Sequence, residues 1–143
     1  MKTAGDEKSQ KLFKKALEHI GHKVKECDTI IKKGIKRADL ISEKDDVQYL
    51  FELKQRYFPS YKYDTMVISD DKKWIVSENA FWVFFYTDGK GCIIRSSETP
   101  CRIDTKYAAE TTRFKNRKKV LKTFYHYSPE QAQWFDFDAS LIY

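Results

Sequence analysis

The sequence contains no hydrophobic run long enough to cross a lipid bilayer. Its longest strongly apolar stretch runs only from Ala80 to Tyr86, whereas a membrane-spanning helix needs about 20 residues. The amino-terminal residues 1–7 are followed by no apolar core of the kind that a secretion signal contains. We therefore expect neither membrane insertion nor export.

Cysteine is scarce, and its three positions do not form a metal-binding pattern. Cys27, Cys92 and Cys101 lie far apart, without a Cys-x-x-Cys pair, and none of the three histidines stands at a zinc-ligand spacing from them. An odd number of scattered cysteines is typical of proteins in a reducing compartment. We therefore expect a cytoplasmic location and no structural zinc.

Glycine and proline are also few, with five and three residues, and no repeat, low-complexity tract or linker divides the chain. A chain of 143 residues that is 41% hydrophobic and 15% aromatic can build one sizeable core. The sequence therefore predicts a single domain over residues 1–143.

Positive charge is in excess, with a net charge of +6 and a pI of about 9.1, which favours polyanionic partners. Basic residues crowd the C-terminal third, and aromatic residues lie between them. Such a segment suits nucleic acid, because cations neutralise phosphates and rings stack on unpaired bases. The alternative is a solvated helix face above a stripe of core residues. The predicted nucleic-acid-binding residues are Arg113, Lys115, Arg117, Lys118, Lys119 and Lys122.

Two further segments have a clear hydrophobic pattern. Ser9 to Ile20 shows the apolar spacing of an amphipathic helix, and Gly21 is a natural end for it. Ala80 to Tyr86 is apolar on both faces, which predicts a central strand that is covered on both sides.

A predicted hairpin carries the most informative polar residues. The stretches 35–41 and 47–54 have the pattern of strands, and the polar segment 42–46 between them is typical of a turn. This hairpin would bring Asp39, Glu52 and Lys54 to one end of a sheet. Two carboxylates and an ammonium group placed in this way can hold Mg²⁺ and prepare a water molecule to attack a phosphodiester.

The strand context distinguishes Glu52 and Lys54 from the other acid-x-Lys patterns in this lysine-rich chain. Side chains two apart share a face of a strand. One face here is wholly apolar, while the other changes from Leu50 to the charged pair only at its end. The simpler alternative is an edge salt bridge between Glu52 and Lys54, with Asp39 at a strand end by chance. The apolar face consists of Val47, Tyr49, Phe51 and Leu53.

The order of these elements resembles the PD-(D/E)XK nuclease superfamily, and most closely its archaeal-type Holliday-junction resolvases and related phage nucleases. The resemblance covers roughly residues 9–96: a helix, a strand ending near Asp39, and a strand ending in Glu52-x-Lys54. Ala38 stands where the motif has proline. The resemblance implies an α/β fold with a restriction-endonuclease-like core, in which α-helices flank a central mixed β-sheet.

The resemblance also implies the roles of individual residues. Asp39 and Glu52 would bind the metal together with the backbone carbonyl of Leu53, and Lys54 would orient the attacking water. Resolvases often add a glutamate from the first helix, and Gln10 occupies that position here as a further, neutral ligand. The implied cofactor is Mg²⁺, with Mn²⁺ able to substitute.

Three functions follow as alternatives. The first is a metal-dependent endonuclease acting on branched or duplex DNA, in the cytoplasm or, for a phage-encoded protein, in the host cytoplasm. As a junction resolvase it would be a homodimer, because two strands are cut symmetrically. The second is a non-catalytic nucleic-acid-binding module that uses the basic C-terminal segment. The third is a structural or protein-interaction domain.

Overall fold

The computed structural model describes residues 4–26, 38–69, 79–109 and 119–143. These residues form one α-helix and nine β-strands. The elements are α1 (Ala4–His19), β1 (Lys23–Glu26), β2 (Leu40–Lys44), β3 (Val47–Gln55), β4 (Met66–Ser69), β5 (Ala80–Phe85), β6 (Lys90–Arg95), β7 (Arg102–Ala109), β8 (Lys119–Tyr127) and β9 (Gln133–Asp136).

The amphipathic helix is confirmed and begins earlier than its apolar pattern. Phe13 and Leu17 are buried, while Glu7 and Glu18 are exposed, so a single stripe of α1 contacts the core. The chain leaves the helix at Gly21, whose φ of 97° is strained for any residue with a side chain.

Six strands form a mixed sheet, sheet A, in the order β1-β2-β3-β5-β6-β9. Strands β3 and β5 are parallel, and the other neighbours are antiparallel. The prediction of a central strand is confirmed, since β5 lies in the interior of the sheet and Trp82, Val83, Phe84 and Phe85 are fully buried. The central mixed sheet of the expected fold is therefore present.

The two faces of sheet A have separate cores. On one face, Phe13 and Leu17 of α1 pack with Phe51 and Leu53. The other face is covered by a second sheet, sheet B, of three antiparallel strands in the order β4-β8-β7. Residues of both sheets form this second core, namely Met66, Ile68, Trp82, Phe84, Tyr86, Cys92, Ile94 and Tyr127.

The expectation of helices on both sides of the sheet is met only in part. In the described ranges one face carries α1 and the other carries sheet B, so the architecture is α+β and mostly strand. The difference arises in the C-terminal third, where β7 and β8 pair over their whole length. Alternating β-branched and aromatic residues, Val120, Thr123 and Tyr125 among them, favour strand there. No described helix is long and apolar enough to span a membrane.

The first strand of the β2–β3 hairpin begins later than predicted, and the turn is shorter. Strand β2 starts at Leu40, so Asp39 precedes a strand instead of ending one, and residues 35–37 lie outside the described part of the chain. Ser42 and Lys44 belong to β2, and only Asp45 and Asp46 connect the strands, with positive φ values of 53° and 64°. A two-residue turn with two left-handed residues matches the twist of the flanking strands, and aspartate tolerates that conformation. The turn fixes the register in which Leu40 faces Phe51.

Candidate metal centre at the end of the β2–β3 hairpin

The start of β2 positions Asp39 by an irregularity in the strand pairing. Leu40 is the register partner of Phe51, and the N–H of Asp39 also donates to the Phe51 carbonyl at 2.9 Å. Two consecutive residues therefore face a single residue of β3, which is the pattern of a β-bulge. Bulges redirect side chains, and this one turns the Asp39 carboxylate toward β3.

The Asp39 carboxylate is fixed at the backbone of the acid-x-Lys motif. Its Oδ2 accepts a hydrogen bond of 2.8 Å from the N–H of Leu53, the residue between Glu52 and Lys54. The N–H and C=O of a strand residue point to the same edge, so the Leu53 carbonyl is also directed toward the β2 side. Asp39, Glu52 and Lys54 thus lie at the same end of the hairpin.

Glu52 and Lys54 project from the opposite face of β3 to Phe51 and Leu53. Their register partners are Trp82 and Phe84 in β5. Lys54 Nζ lies 3.4 Å from Glu52 Oε1, and the two side chains are only 17% and 7% exposed. Desolvating two charges among aromatic residues costs free energy that their attraction rarely returns in full.

An ordinary edge salt bridge does not describe this pair. Strand β3 lies between β2 and β5 in the interior of sheet A, and Glu52 is buried. Desolvated charges in such a place are a common feature of functional sites. The carboxylate of Asp39 accepts a hydrogen bond from the backbone amide that lies between Glu52 and Lys54.

The donor set suits a hard divalent cation. Carboxylate and carbonyl oxygens are the preferred ligands of Mg²⁺, which often uses only one or two carboxylates and completes its shell with water and substrate phosphates. Within the described ranges no three His, Cys, Asp or Glu side chains form a group that could hold a metal ion. Asp39, Glu52 and the Leu53 carbonyl offer two carboxylates and one carbonyl, and their role as Mg²⁺ ligands stays a prediction.

The first helix begins beside the same end of β3. The Ser9 hydroxyl accepts a hydrogen bond of 3.0 Å from Gln55 Nε2, one residue after Lys54, and donates to the Asp6 carbonyl. Gln10 is the next residue of α1 and is half-buried. Its role as an additional metal ligand stays a prediction.

Most of the predicted nucleic-acid-binding residues lie outside the described part of the chain. Lys119 begins β8, and its side chain is not among those described. Lys122 is half-buried in β8 and is the register partner of Lys106 in β7. The residues outside are Arg113, Lys115, Arg117 and Lys118.

Sequence reasoning missed a polar cluster on sheet B. Buried His126 contacts Thr65 through Nδ1 at 2.7 Å and lies 2.8 Å from Asp104 Oδ2 through Nε2. The sequence pattern that could have revealed this cluster is the alternation of polar residues in β7 and β8. Once both segments are recognised as strands, that alternation places the polar side chains on one face of sheet B.

Of the two tryptophans that the structure describes, Trp82 is fully buried and cannot contribute to the interface of a homodimer. Trp134 is 38% exposed, and its indole N–H donates to the Pro129 carbonyl at 3.0 Å.

Comparison with known proteins gives no relative: no protein-family model, curated protein or solved structure matches this chain significantly.

Proposed function

We propose that this chain is a metal-dependent endonuclease that hydrolyses DNA phosphodiester bonds, built on a restriction-endonuclease-like core. The observation that supports the proposal is the hydrogen bond from the Leu53 amide to the Asp39 carboxylate, which holds a second acid at the backbone between Glu52 and Lys54. Replacing a buried ion pair by well-packed hydrophobic residues is often neutral or stabilising, so stability alone does not account for Glu52 and Lys54 at this position.

Each residue has a distinct role in the proposal. Asp39, Glu52 and the Leu53 carbonyl would hold Mg²⁺. When bound, Mg²⁺ stabilises the charge that develops on phosphate oxygens and makes a coordinated water a better nucleophile. Lys54, which lies 3.4 Å from Glu52 Oε1, would hold the attacking water by hydrogen bonding and balance the charge of the carboxylates.

The proposed substrate is branched or duplex DNA. A junction resolvase requires two active sites related by two-fold symmetry, so the proposal in its most specific form includes a homodimer.

A second candidate function is nucleic-acid binding without cleavage. It is favoured by the positions of Lys106 and Lys122, which are directly opposite each other on sheet B and so project from the same face. The two candidate functions make different predictions for Glu52. The nuclease requires Glu52 for cleavage, whereas the binding module requires it at most for the stability of the fold.

The test is cleavage of a labelled four-way junction, a linear duplex and a single strand, each with Mg²⁺ and with EDTA. We expect Mg²⁺-dependent cutting that is lost in Glu52→Gln. Glu43→Gln is the matched control, because Glu43 is an exposed glutamate in the same hairpin, and it should cut like the wild type. Failure to cut any substrate with Mg²⁺ or Mn²⁺ would reject the nuclease, and retained DNA binding would then support the second candidate.

A further inference from the structure

A cleft of about 510 Å³ opens on the face of sheet B that is turned away from sheet A. Met66 and Tyr127 of sheet B point into the shared core, whereas their neighbours Val67 and His126 point to the opposite side. The segment that follows β3 forms the other wall, including Arg56. The volume lies within the range of about 300–1,000 Å³ that is usual for ligand pockets.

The lining of this cleft is strongly basic. Arg56, Arg102 and Lys106 contribute three cations, and Asp64 is the one carboxylate among the lining residues that the structure describes. Asp104 lies 3.4 Å from Arg102 Nε and occupies one side of that guanidinium. The excess of positive charge favours an anionic ligand.

Buried His126 holds two of the lining residues in place. A guanidinium only donates, so the contact of 3.2 Å between Arg102 Nη2 and His126 Nδ1 requires Nδ1 as the acceptor, and the Thr65 hydroxyl lies 2.7 Å from the same nitrogen. The ring proton is then on Nε2, which approaches Asp104 to 2.8 Å without the alignment of a hydrogen bond. This histidine fixes Arg102 at the wall of the cleft instead of leaving it free in solvent.

Aromatic rings lie beside the cations. Phe124 lines the cleft with the Lys106 ammonium 4.9 Å from its ring centroid. On the other wall Tyr63 is 57% exposed and packs edge-on against Phe58, with centroids 5.0 Å apart. Exposed rings next to phosphate-binding cations are the recurring elements of sites for single-stranded nucleic acid.

We propose that this cleft binds one unpaired nucleotide of a DNA strand, with the phosphate at Arg102 and Lys106 and the base against the exposed ring of Tyr63. A base within a duplex cannot enter such a cleft because it is paired and stacked. Ser60 and Thr65 also line the cleft; the Ser60 hydroxyl donates to Asp88 and the Thr65 hydroxyl contacts His126, so their oxygens are left to accept from the base edge.

Arg56 connects the cleft to the strand that carries the candidate metal centre. Arg56 follows Glu52 and Lys54 on the same face of the chain, about 13 Å from Glu52 at about 3.3 Å per residue. Its Nη2 donates to the Val67 carbonyl at 2.9 Å, which joins the end of β3 to sheet B. This inference deepens the proposed nuclease function and rests on it, because the nuclease function is what would bring a DNA strand to this surface. A DNA strand that is cut near Glu52 would place an unpaired nucleotide a few positions further along in the cleft.

The test measures binding without cleavage, by fluorescence anisotropy in EDTA with a labelled single-stranded oligodeoxynucleotide and a hairpin duplex of the same sequence. We expect tighter binding of the single strand. Tyr63→Leu should weaken binding of the single strand roughly 5- to 150-fold, which is the range expected when one base loses its stacking on one aromatic ring. Tyr61→Leu is the matched control, because Tyr61 lies in the same loop, is 81% exposed and is not in the cleft lining.

A second pair of variants tests the phosphate contact. Lys106→Gln should weaken binding and reduce the slope of log affinity against log salt by about 0.7, the loss of one phosphate contact on a single strand. Lys23→Gln, an exposed lysine in β1, should change neither. All four substituted side chains are exposed, and thermal unfolding verifies that each variant is folded.

The outcomes separate the cleft from the nuclease. Equal affinities of Tyr63→Leu and Tyr61→Leu for the single strand would overturn the cleft assignment, even if Mg²⁺-dependent cutting is observed. Weaker binding by Tyr63→Leu and Lys106→Gln supports the cleft, even if no substrate is ever cut.

Discussion

The two sides of β3 differ in a way that composition alone does not reveal. Phe51 and Leu53 pack under α1 in a wholly apolar cluster. Glu52 and Lys54, each one position away, project from the other face beside Trp82 and Phe84, with side chains only 7% and 17% exposed. One side therefore contributes stability through apolar burial, while the other keeps charges where apolar side chains would pack as well. That contrast is the physical basis for assigning function to the charged side.

The apolar side of β3 should show the largest loss of stability. Phe51→Ala removes a ring that stacks on Phe81 at 5.5 Å and contacts Phe13 edge-on at 5.1 Å. We expect the free energy of unfolding to fall by about 3–5 kcal/mol, measured by urea denaturation. Gln48→Ala on the same strand, where Gln48 is exposed, should change it by less than about 0.5 kcal/mol. A small loss for Phe51→Ala would mean that this cluster is not a packed core.

On the charged side of β3, removing both charged side chains together should not lower the free energy of unfolding. Replacing both partners, Glu52→Leu with Lys54→Met, removes two desolvated charges and should leave the free energy of unfolding unchanged or raise it by up to about 4 kcal/mol. Lys54→Met alone should lower it by about 3–5 kcal/mol, because it leaves the buried carboxylate of Glu52 without its ammonium partner. Both are measured by urea denaturation.

The double replacement also tests function. It should abolish cleavage while the protein stays folded. A large loss of stability in the double variant would show that the pair has a structural role, and the contrast between the two sides of β3 would then carry no functional meaning.

The apolar side should also show a small dependence on pH. Burial, and then the charge of Lys44, lower the pKa of His22 below its usual value of 6.5. Because protonation then favours the unfolded chain, stability should fall as the pH drops below about 6.5. Comparing melting temperatures at pH 7.5 and 5.5, we expect His22→Gln to lose less on acidification than the wild type.

The exposed His19 provides the control for that comparison. His19→Gln should keep the pH dependence of the wild type. If the two variants lose the same amount on acidification, the environment of His22 is not the cause.

The sequence predicted those features that depend on local periodicity. The amphipathic pattern identified α1, and the apolar run at Ala80–Phe85 identified the central strand. The alternation in 47–54 separated the core residues of β3 from Glu52 and Lys54. Each of these follows from the geometry of a single element.

Features that depend on contacts distant in sequence were not predictable in the same way. The hydrogen bond between Asp39 and the Leu53 amide spans 14 positions and needs an irregular pairing at the start of β2. The cluster around His126 forms only when β8 pairs with both β4 and β7, because Thr65 precedes His126 by 61 positions and Arg102 precedes it by 24. The charged, aromatic composition of β7 and β8 was also compatible with a helix, and only their pairing decides between the two.

The most direct test of the metal centre is the binding of Mn²⁺, followed by electron paramagnetic resonance in the absence of DNA. The wild type and Glu43→Gln should bind Mn²⁺ equally, and Asp39→Asn and Glu52→Gln should each weaken binding by at least about tenfold. Equal Mn²⁺ affinity in all four proteins would contradict the assignment of Asp39 and Glu52 as metal ligands.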